Sequence, residues 1–432
     1  MAEATVSKKK KIRRSDYQYT VFKAMRNGDW ITRLSFLIMG FGNIVRKQFV
    51  KGLSFLVLES IFIYFMIKNG ASLLTDFFHL GGAEQEKVWN DAKGIFEYTQ
   101  GDNSLLMLLY GVATVFIIFA FVCLWVVSVE SAYRAQCLHD AGKKVPGFTD
   151  DIKSLFDKNL HMFLLPLPVL GIVVFTILPL VFMICMAFTN YSKMDSHTVL
   201  FNWVGLKNFA KILNFNDAVG STFWSVLGWT LVWAVAATFT NYIFGMILAM
   251  VINRKGTRCK SVWRSIFMLS AAVPQFVSLL LMRTIFSQNG IVNTLLLNHH
   301  IIDNAIPFWS NATVARIMVI VINIWIGIPF TIMQVTGILQ SIPEDIYEAA
   351  KVDGAGPVKI FFKITLPYML FVTAPYLITT FAGNINNFNV IYLLSNGAPI
   401  PVGKTAGKTD LLVTWLCKLT VDNQYYNLGA VI

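Results

Sequence analysis

Charge is what this sequence has least of. Of 432 residues, 14% are Asp, Glu, Lys or Arg, 55% are hydrophobic and 14% aromatic, and the mean hydropathy is +0.58. A soluble globular chain carries about 25% charged residues, so a water-surrounded domain of this length is excluded. The five cysteines (Cys123, Cys137, Cys185, Cys259, Cys417) have no paired spacing. That excludes a disulfide framework or cysteine metal cage and leaves small apolar packing residues. A cleavable signal is missing, because MAEATVSKKKKIRR is followed by a mixed polar segment and the first apolar run begins near residue 49. There is no phosphate loop either. VGKTAGKT (Val402 to Thr409) lacks the first glycine of G-x-x-x-x-G-K-[ST], since Val402 stands five residues before Gly407 and Ala398 five before Gly403. His299 and His300 have no nearby carboxylate pair, and the apolar runs carry no nucleophile–base arrangement.

What is there is a series of runs long enough to cross a bilayer, at about 49–67, 104–129, 162–188, 223–252, 264–286, 313–336 and 368–391. The expected class is an all-α polytopic membrane protein. The net charge of +12 is concentrated in short loops, which points to membrane topology and not to nucleic acid. INRKGTRCKSVWR, after the fourth run, holds five Lys/Arg, and Ser287 to Asn311 holds none. Glu130 to Leu160 holds five, while Lys68 to Asn103 has six acidic residues against three basic. A cytoplasmic N-terminus puts the basic loops inside, so the chain is expected to be multi-pass in a bacterial cell membrane. Lys8 to Arg14 reads as a cytoplasmic tail near anionic lipid. Residues 17–48 read as an interfacial helix on the inner leaflet. The chain is thus divided into 1–48 (tail and interfacial helix), 49–160 (a transmembrane hairpin and cytoplasmic loop) and 161–432 (the core). The sequence stops at YNLGAVI as an apolar run begins, and a further span of about 20 residues is expected beyond it.

The sixth and seventh runs are separated by a polar interruption, EAAKVDGAGPVKIFFKITLP (Glu348 to Pro367). Ser341-Ile-Pro-Glu344 has capping-box spacing, which predicts a short helix over 342–352. Gly354 and Gly356 allow a turn, and a second short helix over 358–365 is expected to stop at Pro367. A bare connection seldom exceeds about 12–15 residues, so the length points to a partner, the alternative being a capped loop without one.

The elbow resembles the EAA loop of binding-protein-dependent ABC importer permeases, with Glu348, Ala349, Ala350, Asp353, Gly354, Ile364, Leu366 and Pro367 in the matching positions. FNWVGLKNF (201–209), INIWIGIPF (322–330), FAGNINNFNVIYLLSNGAP (381–399) and AGKTDLLVTWLCKLT (406–420) are similar to the MalF-type subunit of maltose/maltodextrin importers. The resemblance covers roughly residues 30–432. It implies a type I ABC importer permease fold of eight spans and a coupling helix at 341–367. The implied partners are a second, MalG-type permease, a dimer of cytoplasmic ATP-binding subunits that hold ATP and Mg, and an extracellular sugar-binding protein. This chain itself would carry no cofactor, no metal and no catalytic residue. The large extracellular insertion of some members is absent, since only about 34 residues separate Thr189 from Thr222.

The seventh run contains Asn384, Asn386, Asn387 and Asn389. Amides inside a span are costly unless they line a pathway or bond between helices. Asn384 and Asn387, three apart, would share a face, and neutral amides suit a neutral sugar. The resemblance implies sugar contacts at Asn384, Asn387, Gly327, Phe330, Ala271 and Gln275. At the last two positions the family pattern has an aromatic residue and a serine, and Phe330 replaces a tyrosine, so sugar length and linkage stay open. Gly327 also fits plain helix packing, and Pro274 and Pro329 are candidate kinks. The reading is a translocation subunit for malto-oligosaccharides. Its alternatives are another oligosaccharide, such as galacto-oligosaccharides, or an ion-coupled sugar transporter. The latter calls for an acidic residue inside a span, and only Glu59 qualifies.

Overall fold

The computed structural model describes residues 19–90, 93–98, 101–157, 159–193, 199–254 and 256–432. The basic cluster at 8–14 lies outside them. Among the described residues six helices are long and apolar enough to cross a membrane, and a helix pair bent by 85° passes the same test only if its two halves are taken together. The chain divides into two compact units, Met1–Asn190 with His197–Trp203, and Tyr191–Ser196 with Val204–Ile432.

In the first unit α1 (Val21–Asn27), α2 (Trp30–Leu34) and α3 (Phe41–Val45) precede the first span, α4 (Phe49–His79). A two-stranded hairpin, β1 (Lys87–Asn90) and β2 (Ile95–Tyr98), connects α4 to α5 (Ser104–Asp140). Phe62 of α4 stacks on Phe121 of α5, and Gly111 lies against the Phe77 ring. α5 runs past the expected end at 129. Its last turns bury Ala132, Tyr133, Ala135 and Gln136, which pack toward the N-terminal helices. α6 (Phe148–Phe156) follows, and α7 (Pro166–Met186) completes the unit. The third run therefore packs with the N-terminal spans, not within the second unit.

Residues 17–48 do not form one interfacial helix. Residues 19–48 form three short helices, with Gly28 ending α1 and Gly40, at φ +78°, preceding α3. Thr20 and Asp29 cap α1 and α2 by accepting from Lys23 and Thr32 N–H. Arg46 donates to both Asp29 oxygens at 2.7 and 2.8 Å. Burial pushes the Asp29 carboxyl up, but the Thr32 N–H and the Arg46 guanidinium outweigh it and hold it below the usual carboxylate range.

The second unit is built on α9 (Ala218–Asn253), which follows the short α8 (Lys207–Leu213). Its most apolar window is 44% buried, against 6% for α7, so α9 is a core helix and α7 a peripheral one. α9 packs along α13 (Ala312–Ser341) and α15 (Pro357–Ile385). Gly245 lies on the Thr331 side chain and Gly327 on the Asn241 amide, each so close that a Cβ would overlap. Small residues let helix backbones approach where lipid offers no hydrophobic drive. Trp229, Trp233, Leu279, Val319, Ile322 and Ile391 fill one end of the bundle, and Tyr242, Met246, Ile332, Val335 and Met369 the other.

The fifth run is not a single span. α10 (Lys260–Ala272) ends at Val273, Pro274 is extended, and α11 (Gln275–Ile285) leaves at 85°. Pro274 removes a donor and disfavours helical backbone at Val273. Pro329, by contrast, stays inside the unbroken α13.

At one end of the bundle, past α12 (Ile291–Asn298) and α16 (Phe388–Leu394), the segment 395–432 forms α17 (Leu412–Cys417) and α18 (Tyr426–Val431). Its hub is Asp410, fully buried. Asp410 accepts from Lys418 Nζ (2.7 Å), Thr414 Oγ1 (2.9 Å) and Gly407 N–H (2.6 Å). The VGKTAGKT stretch is therefore a pinned turn: Lys408 O accepts from Arg316 and Lys404 donates to Ser221. Removing one member of a buried ion pair strands the other. Asp410→Ala should therefore cost about 3–5 kcal/mol, read as a lower unfolding temperature in detergent. Asp410→Ala/Lys418→Met should recover part of that loss.

Candidate functional site

A cavity of ≈ 240 Å³ lies among α9, α11, α13 and α15. Helical spacing builds it. α9 contributes Thr238, Asn241 and Tyr242, and α13 contributes Asn323, Ile326, Gly327, Phe330 and Thr331, each set recurring at three and four residues and so sharing one face. α15 adds Tyr376, Leu377, Thr380 and Asn384, and Gln275 enters as the first residue of α11. The lining carries amides and hydroxyls but no Asp, Glu, Lys or Arg.

Asn384 is held on three sides. Its Nδ2 donates to Thr238 Oγ1 (2.9 Å), its carbonyl accepts from Trp233 Nε1 (3.1 Å), and its Oδ1 accepts from Asn387 Nδ2 (3.4 Å). Two other amides are not satisfied: Asn241 Oδ1 and Asn323 Nδ2 are buried without a hydrogen-bond partner. A buried unpaired polar atom costs about 1–3 kcal/mol. Phe330 is 54% exposed and offers a flat apolar face.

Of the sequence-expected contacts, Asn384, Gly327, Phe330 and Gln275 line the cavity, while Asn387 and Ala271 do not. α15 ends at Ile385 and α16 starts at Phe388, so Asn386 and Asn387 occupy a break, and no helix face joins Asn384 to Asn387. Asn387 caps α16, its Oδ1 accepting from Val390 N–H at 3.3 Å. Asparagine favours caps over helix interiors because its side chain competes for backbone groups. Ala271 ends α10 ahead of the 85° bend. Sequence reading missed Asn241, Asn323, Tyr376 and Thr380. The lone amides in TFTNYIF and VINIW were the available signal.

The elbow is a second candidate site. α14 (Glu344–Val352) leaves α13 at Ile342–Pro343. The capping box does not form, because Ser341 is the last residue of α13 and its hydroxyl donates to Ile338 O. α14 ends in a Schellman turn: Ala355 N–H donates to Ala350 O, Gly354 N–H donates to Lys351 O, and Gly354 sits at φ +74°. Pro367 stops nothing. The helix runs from Pro357 to Ile385, with a π-turn over Phe361–Thr365 ahead of the proline. The wider turn accommodates a ring that lacks its own donor. Tyr347 and Thr365 hydroxyls meet at 3.2 Å and brace α14 on α15. Glu348, Ala349, Asp353, Gly354 and Pro367 are exposed, and Ala350, Ile364 and Leu366 half-buried. Val352 (87% exposed) and Val358 (71%) leave apolar surface at the elbow's tip.

The family described as binding-protein-dependent transport system inner membrane component matches residues 241–416, a range that holds most of the cavity lining and the whole elbow. The chain is 34% identical over 402 residues to the galactooligosaccharides transport system permease protein GanP of Bacillus subtilis, covering 92% of this chain and 91% of that one. It is 32% identical over 413 residues to the maltodextrin transport system permease protein MdxF of the same organism, covering 92% and 89%. A crystal structure of a bacterial alginate ABC transporter, in complex with an alginate pentasaccharide-bound periplasmic protein, shares the fold. Its TM-score is 0.51 at 22% identity, over 66% of this chain and 89% of that one. This chain therefore belongs to the binding-protein-dependent transport system inner membrane components and is a multi-pass permease subunit of the MalF type.

Proposed function

We propose that the chain lines the sugar pathway of an ATP-driven importer and that its substrate is a malto-oligosaccharide. The observation that carries the reading is the cavity lining: amides and hydroxyls, no ionised side chain, two unpartnered buried amide atoms and the Phe330 ring. At ≈ 240 Å³ the cavity falls below the usual range for ligand pockets of about 300–1,000 Å³. A second permease would complete it. The chain does no chemistry. ATP and Mg bind to a dimer of cytoplasmic subunits, and the exposed elbow, with Glu348 and the apolar tip at Val352 and Val358, docks on that dimer.

The topology agrees with this assignment. The basic 252–264 loop and the elbow lie at the same end of the bundle, where Asn253 bonds to Thr336 and accepts from Arg264. By the Lys/Arg rule that end would be cytoplasmic. A loaded binding protein would dock at the opposite end, on 189–222 and 393–428. Closure of the ATPase dimer would pull the elbow and turn the cavity outward. A galacto-oligosaccharide is the second reading. It is favoured by GanP, whose identity and coverage match those of MdxF. Glu59, the intramembrane acid an ion-coupled transporter would need, accepts from the Met39 N–H instead.

In proteoliposomes containing the assembled importer, ATP-dependent uptake of maltotriose is expected to exceed that of galactotriose; the reverse order would replace the first substrate reading with the second. Asn323→Ala should lower uptake about 3- to 10-fold, the worth of one hydrogen bond, while the subunits still co-purify. Unchanged uptake would remove the cavity from the pathway. Glu348→Arg should release the ATPase or uncouple its turnover from uptake with the membrane subunits still folded, and normal coupling in that variant would refute the elbow's role.

A further inference from the structure

Hydrocarbon accepts non-helical backbone only where protein satisfies it, and one segment of the first unit meets that condition for every amide donor. Between α2 and α3 the chain turns at Gly40, which has φ +78° and lies against the Gly52 carbonyl of α4. From Ser35 to Ile44 every amide N–H has a partner. Seven donate to carbonyls within the turn. The other three go to side chains: Met39 to Glu59 Oε2 (2.8 Å), Gly40 to Ser128 Oγ (3.0 Å) and Gly42 to Ser35 Oγ (2.8 Å). The Phe36 carbonyl accepts from Trp125 Nε1. A turn in water would have no need of such closure.

Of these partners Glu59 lies at depth, while Ser128 stands near the end of its span, two residues before Glu130. Glu59 follows Lys51 by eight residues and precedes Lys68 by nine, so it lies about 12 Å along the helix from one cation and about 13 Å from the other. Trp125 and Ser128 precede Glu130, the first charged residue of α5. The segment has the matching polarity. No charged residue occurs between Arg33 and Arg46, the Asp29–Arg46 pair sits at the base, and Leu37 (76% exposed) and Ile38 (43%) project from the tip. A hairpin beside two spans, with every amide donor paired, Asn43 Oδ1 alone among its side-chain atoms buried without a partner, and an apolar exposed tip, suits an occupant without hydrogen-bonding groups. That occupant is the acyl chain of a lipid.

We propose that residues 34–44 form a re-entrant turn inserted into one leaflet beside α4 and α5, with Leu37 and Ile38 against lipid acyl chains, and that Glu59 positions it by accepting the Met39 amide. Glu59 is then a structural acceptor in the membrane and takes no part in ion coupling. The inference does not depend on the substrate.

The test places a nitroxide at Leu37→Cys in the full chain, its five native cysteines replaced, in nanodiscs of phosphatidylethanolamine and phosphatidylglycerol. Reference labels go at Ile61, on the exposed face of α4, and at Val402, in an exposed loop. The position-37 label should collide with oxygen and resist the water-soluble nickel chelate, as at Ile61. Nickel collisions equal to those at Val402 would overturn the proposal, and so would collisions with neither reagent, which would mean a protein covers the tip. Glu59→Gln, which keeps an acceptor, should preserve the lipid signature. Glu59→Leu should shift it toward water, and no shift would overturn the role of Glu59. In the unmodified chain the amides of Met39 and Gly40 should exchange slowly with deuterium, and free exchange would contradict the closed turn.

Discussion

The close seam between α9 and α13 governs the second unit. Lipid tails are as apolar as leucine, so helices there associate by packing and hydrogen bonding. Gly245 against Thr331 and Gly327 against the Asn241 amide bring the two backbones together over two turns. With that distance fixed, Asn241 and Asn323 are buried with one unsatisfied atom each, and Thr238 is within reach of Asn384 on α15. The cavity follows from the seam: α9 and α13 meet closely at Gly245 and Gly327, and α15 closes the polar gap beside them through Asn384.

The elbow is the opposite kind of element, exposed along its length yet tightly built. A Schellman turn closes α14, a tyrosine–threonine contact braces it on α15, and α15 continues through Pro367 to the cavity residues Tyr376, Thr380 and Asn384. α14 and α15 are joined by the Gly354 turn and braced across it by the Tyr347–Thr365 contact. The π-turn at Phe361–Thr365 is an irregularity in α15, and it falls just ahead of Pro367, whose ring lacks a donor.

Much of this was legible in the sequence. Six spans and the elbow followed from run length and charge placement, because membrane insertion depends on composition over about 20 residues. Gly354 as the turn residue followed from its freedom at positive φ. The errors share a cause. Proline and asparagine act on backbone geometry through what surrounds them. Pro274 bends its span by 85°, whereas Pro329 sits in an intact helix. Asn387 was read as lining a pathway and instead caps α16, and three short helices stand where one interfacial helix was expected.

The sequence by itself determined what each segment could tolerate: which stretches can lie in lipid, which loops carry cations, and where a polar elbow separates two apolar runs. Those are local properties, fixed by transfer energies summed over neighbouring residues. The tertiary structure decided which polar groups are satisfied and which are left open. Asn384 and Asn241 are the same residue type on apolar helices, yet one is bonded on three sides and the other has a buried oxygen with no partner. Hydrogen bonds across helices depend on distances of a few tenths of an ångström between residues more than a hundred positions apart, and only the packed bundle sets those.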